Sequence, residues 1–78
     1  MAIDKIKVAQ EADKLYRAGK KLEAIGKLQL ILKDSPKDLT THNRIGEIYL
    51  EMNRNDDAIE SFKRAAEIFA KEIGRAHV

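Results

Sequence analysis

The sequence predicts an all-α protein of four helices, arranged as two antiparallel helix–turn–helix hairpins. Three observations carry that fold class. Apolar residues recur at i, i+3, i+4 spacing, and strict alternation never persists long enough for a strand. The composition is 44% hydrophobic and 36% charged, with four Gly, one Pro and no Cys, so little interrupts a helix. Finally, residue size classes recur with a shift of 34 residues, which outweighs any single helix signal.

The first helix has Asp4 as its N-cap and stops at Gly19, whose missing Cβ suits the left-handed position after a helix. Its stripe reads Ile6, Ala9, Ala12, Tyr16. A second helix is expected from Lys21 to Lys33. Ser35-Pro36-Lys37-Asp38 then reads as a start signal, with Ser35 as N-cap, Pro36 at N1 and Asp38 at N3. The third helix carries Ile45, Ile48, Tyr49 and Met52, and ends near Met52 with Asn53 as a second left-handed residue. Asn55 is the expected cap of a fourth helix from Asp56 to about Glu72, with Asp56 and Asp57 near the positive end of its dipole.

Residues 5–38 laid over 39–72 match in size rather than identity. Ala12 falls on Gly46, Leu15 on Tyr49, Gly19 on Asn53, Ala24 on Ala58, Ile25 on Ile59 and Leu28 on Phe62. Small residues recur where the two helices of a hairpin approach closely, and large ones where the next layer needs filling. With these positions the chain resembles the tetratricopeptide repeat (TPR) family. The first unit offers Ala12, Leu15, Gly19, Ala24, Leu28, Ile31 and Pro36; the second offers Gly46, Tyr49, Asn53, Ala58, Phe62, Ala65 and Ala70. Departures from the family pattern are Glu11 where the second unit has Ile45, and Ile31 at a position that is usually small. The resemblance implies a short right-handed α-solenoid with repeats at 5–38 and 39–72.

Two features predict a fragment of a longer repeat protein. The last helix is apolar on several sides, and its segment 66–72 resembles 46–52, as if opening a further unit. Residues 73–78 can be encoded by a common sequencing-library adapter, so they are expected to be a non-native tail.

Chemistry-bearing constellations are missing from the pattern. His42 and His77 lack metal-ligand spacing, there is no Cys, and Ser35 has no base at motif spacing. His42 is expected to pack, and the four Gly form no phosphate loop. The carboxylates are read as lying on solvated helix faces. The reading is therefore no enzyme, no cofactor and no metal. No apolar run approaches the length of a membrane span and no secretory signal is seen, so a cytoplasmic location is the default.

What the resemblance implies instead is a non-catalytic scaffold that binds a protein or peptide partner in a groove lined by the first helix of each repeat. Carried over by position, that groove comprises Ala9, Asp13, Tyr16, Arg17, Asn43, Glu47, Leu50 and Glu51. Ala9 and Asp13 stand where the family's carboxylate-clamp members have Lys and Asn, which disfavours that subfamily's function. The acidic residues suit a partner with basic and apolar side chains. Residues 5–38 hold nine Lys/Arg against five Asp/Glu, and residues 39–72 hold five against seven. That asymmetry and the uncapped last helix are compatible with head-to-tail self-association. The alternative reading is a basic-face nucleic-acid binder through Lys14, Lys20, Lys21 and Lys27, disfavoured because no base-stacking aromatics interleave with them.

Overall fold

In the computed structural model, four helices follow one another: α1 (Lys5–Arg17), α2 (Lys21–Asp34), α3 (Leu39–Glu51) and α4 (Asn55–Ala76). The structure describes residues 3–76, with side chains from 3 to 72. His77, Val78 and the other side chains of the expected tail lie outside the described residues. No strand occurs among the described residues.

Packing is sequential: α1 on α2, α2 on α3, and α3 on α4. The molecule measures 45 × 33 × 15 Å across its Cα atoms. Its thinnest dimension fits two helix layers about 8–10 Å apart, with α1 and α3 in one layer and α2 and α4 in the other.

The repeat is visible bond by bond. Asp4 accepts from the Lys7 amide through Oδ1 at 3.1 Å, and Asp38 does the same for Thr41 at 3.1 Å. Each first helix ends in the same two-bond turn. Lys20 N–H reaches Leu15 C=O at 2.9 Å and Arg54 N–H reaches Tyr49 C=O at 2.9 Å. Gly19 N–H reaches Tyr16 C=O and Asn53 N–H reaches Leu50 C=O, both at 3.0 Å. The left-handed residue that this motif requires is Gly19 in one hairpin (φ 83°) and Asn53 in the other (φ 61°). Every one of these bonds recurs 34 residues on.

Three boundary details correct the sequence reading. α3 begins at Leu39 with Asp38, not Ser35, as its N-cap. Ser35 instead ends α2, and the Asp38 amide donates to its carbonyl at 3.1 Å, closing a β-turn with Pro36 second. Proline here stops a helix rather than starting one, because it drives Ser35 out of the helical region (φ −134°, ψ 80°). α4 begins at Asn55 rather than after it; the Ala58 amide donates to Arg54 C=O, which puts Arg54 in the capping position. Ile6, assigned to the packed stripe, is 73% exposed, and Val8, Ala12, Leu15 and Tyr16 do the packing.

α4 outruns α2 by several residues because Ala70 occupies the place that Pro36 holds in the first unit. The core is one cluster of Ala12, Ala24, Ile25, Leu28, Ile31, Ile45 and Ile48, with Ala58 and Ala65 buried under α3 beside it. Ala24 and Ala58, 34 residues apart, are both 0% exposed, small residues fully buried within their hairpins. Gly46 plays the same part against Phe62: a Cβ built on it would lie 2.8 Å from the ring.

Candidate functional site

Because α1 and α3 run side by side in one layer, a cleft opens between them with α2 as its floor. Ala9, Asp13 and Tyr16 form one wall, Thr40 and Arg44 the other, and Leu28, Ile31 and Ile48 the apolar base, enclosing about 220 Å³. That volume takes a side chain or two of a longer ligand and is below the usual small-molecule range.

Tyr16 closes one end. Its hydroxyl donates to Glu51 at 2.7 Å from one carboxylate oxygen and 2.8 Å from the other, and the Arg44 guanidinium stacks 4.4 Å from its ring centroid. Lys21 adds an ion pair to Glu51 at 3.5 Å. The Tyr16 bond holds Glu51 below the usual carboxylate range against partial desolvation, helped by Lys21 and Arg44. The same bond to an anion raises the Tyr16 phenol above its ordinary value. At the other end, Lys5 pairs with Asp38 at 2.9 Å. Burial pushes the Asp38 carboxyl up, but hydrogen bonds from Lys5 and Thr41 outweigh that and hold it below its usual value.

Of the expected groove residues, the structure brings Ala9, Asp13 and Tyr16 to the cleft and Glu51 to its end. Arg17 turns back to Asp13 on its own helix at 3.0 Å. Asn43, Glu47 and Leu50 stand exposed on the far side of α3. The carboxylates are also not simply solvated. Asp13 has Arg17, Glu47 has Arg44 at 3.6 Å, and Glu51 has Tyr16 and Lys21, so the rim is largely neutralised by the chain itself. Among the lysines of the alternative reading, Lys21 and Lys27 are paired with Glu51 and Glu11.

Two features escaped the sequence reading. His42 is buried at 8% exposure as a packing residue, yet its Nε2 also donates to Pro36 C=O at 2.9 Å, tying α3 to the preceding turn. A wider outer cleft of about 680 Å³ separates α2 from α4, with Leu32, Ile45, Tyr49 and Ile68 inside and charged residues along both edges. It arises because α2 and α4 both pack on α3 and not on each other, which the order of elements alone does not reveal.

Among the described residues no three His, Asp or Glu converge as a metal site, and no helix is long and apolar enough to cross a membrane. Comparison with protein-family models, with curated proteins and with solved structures returns no match.

Proposed function

We propose that the chain is a non-catalytic, tetratricopeptide-like scaffold that binds a peptide or a partner helix in the inner cleft between α1 and α3. The observation that carries this reading is the cleft itself: an apolar floor of Leu28, Ile31 and Ile48 with Tyr16 at its mouth. The recurrence of caps and turns every 34 residues supports it independently. Apolar anchoring fits the site better than acidic attraction, since Asp13, Glu47 and Glu51 already have cations.

The test is a random-peptide display selection on the full chain, followed by affinities for Ala9→Arg and Tyr16→Ala. Ala9 is exposed on α1, and Arg is a good helix former, so Ala9→Arg fills the cleft without unfolding the hairpin. Selected peptides should lose binding at least about tenfold to either variant. Peptides that bind Ala9→Arg as well as the unaltered chain would remove the cleft assignment.

A further inference from the structure

The two hairpins share their caps and turns but differ in what covers them. Ile25 is 2% exposed, whereas its counterpart Ile59 is 56% exposed. Leu28 is buried and Phe62 only half-buried; Leu32 is half-buried and Ala66 exposed. The difference has one cause: α3 lies over this face of the first hairpin, and among the described residues nothing lies over it in the second. Leu50 and Phe69, 49% and 51% exposed, extend the same apolar surface.

We propose that this face docks an amphipathic helix of a partner protein, with apolar residues at the spacing of Thr41, Ile45 and Ile48 and basic residues at its rim. The internal repeat states the occupant's shape, because the equivalent face is covered by a helix of that pattern. The rim follows from the polar contacts of the first interface. There, Lys5 pairs with Asp38, Lys21 pairs with Glu51, and Tyr16 donates to Glu51. Thirty-four residues on, those three positions are Leu39, Asn55 and Leu50, none of them charged. Nearby stand exposed Glu47, the counterpart of Asp13, and exposed Asp56, adjacent to Asn55. A helix with α3's own carboxylates would find none of those three partners there. Arg44 is shared with Glu47 at 3.6 Å and Arg54 with Asp57 at 2.9 Å, while Asp56 has no ion pair among the described residues, so a helix with Lys or Arg at that rim meets the complementary charge.

A second copy of the chain fits less well. Its α1 has Lys7, Glu11 and Lys14 where α3 has Thr41, Ile45 and Ile48, so head-to-tail stacking would bury charge. Tail-to-tail pairing would bring together Glu47 and Asp56 of both copies.

The probe is a labelled synthetic peptide with the sequence of residues 38–53 carrying Glu51→Lys, stapled on its solvent face so that helix formation is not limiting. The unaltered sequence, stapled likewise, is the comparison. Titrated by fluorescence anisotropy against the full chain, the Lys peptide should bind saturably and about tenfold more tightly than the unaltered one. Binding should vanish with Ile59→Lys, an exposed site whose substitution leaves circular dichroism unchanged, and persist with Ala9→Arg, which separates this face from the inner cleft. Four results would each overturn the proposal: no binding, equal or tighter binding of the unaltered peptide, binding indifferent to Ile59→Lys, or a concentration-dependent dimer of the chain alone that Ile59→Lys dissolves.

Discussion

Replacing Gly46 by Ala probes a close helix contact, and the fold contains its own control. Gly26 and Gly46 both lie inside helices. A Cβ at Gly26 meets nothing within 4 Å, whereas at Gly46 it meets Phe62 Cε1 at 2.8 Å and Cζ at 2.9 Å. Helix propensity alone favours Ala over Gly by about 1 kcal/mol at either site. At Gly46 the Phe62 ring must retreat by about 0.6–1 Å to reach ordinary contact, and overpacking of this kind costs about 1–3 kcal/mol. Gly26→Ala should therefore stabilise by about 1 kcal/mol, and Gly46→Ala should destabilise by about 0–2 kcal/mol. Urea unfolding followed by circular dichroism reads both; for a domain of this size each kcal/mol moves the melting temperature by about 4–8 °C. The first hairpin supplies the compensating change, because Ala12 and Leu28 occupy the places of Gly46 and Phe62. Gly46→Ala with Phe62→Leu should thus show a favourable coupling of about 1 kcal/mol or more in a double-mutant cycle. If Gly46→Ala stabilises as Gly26→Ala does, or the cycle is additive within about 0.5 kcal/mol, the close-approach argument fails.

Two further outcomes follow from the charged ends of the inner cleft. Asp38→Ala removes the α3 cap and the Lys5 partner together and should cost about 1–2 kcal/mol in the same unfolding assay; with Asp38 present, its depressed folded value means a contribution fully in place above the ordinary carboxylate range and lost as pH falls through the folded value, so acid unfolding of the Asp38→Ala variant should be flatter there. For Tyr16 the sign is opposite: its raised phenol makes a contribution present below the ordinary tyrosine value and lost as pH rises through the folded one, and ultraviolet titration should place tyrosinate formation lower in Glu51→Gln than in the unaltered chain.

Element number, order and turns were legible because they rest on local rules that act without tertiary help: an Asp before a helix, a Gly or Asn after it, and a period in residue size. The misplaced start of α3 shows one rule overriding another. Ser-Pro is a common helix opening, but Asp4 caps α1, and the 34-residue shift carries Asp4 onto Asp38. The period was the better guide. Three of the expected groove residues, all on α3, lie off the cleft for a related reason. A residue on a first helix faces the following hairpin, so Ala9, Asp13 and Tyr16 meet α3, while Asn43, Glu47 and Leu50 face outward past it. Ion pairing of the rim was not legible, since Lys21–Glu51 and Lys5–Asp38 join residues about one repeat apart that only helix stacking brings together.

Low identity between the hairpins separates what each needs internally from what it faces. Inside the hairpin, the requirement is close approach, met by Ala24 and Ala58 unchanged and by exchanging Ala12 with Leu28 for Gly46 with Phe62 at similar combined bulk. Outside it, composition changes with exposure: Lys7, Glu11 and Lys14 occupy the face of α1 whose counterpart in α3 is buried as Thr41, Ile45 and Ile48. If exposure alone governed the outward positions, Ile59 should be polar like Lys7 and Lys14. Instead it keeps the residue of its buried counterpart Ile25 while standing 56% exposed. Other apolar side chains are as exposed, Ile6 at 73% and Leu22 at 56%; what sets Ile59 apart is that the same residue at the equivalent position of the first hairpin is buried, as the proposed docking face requires.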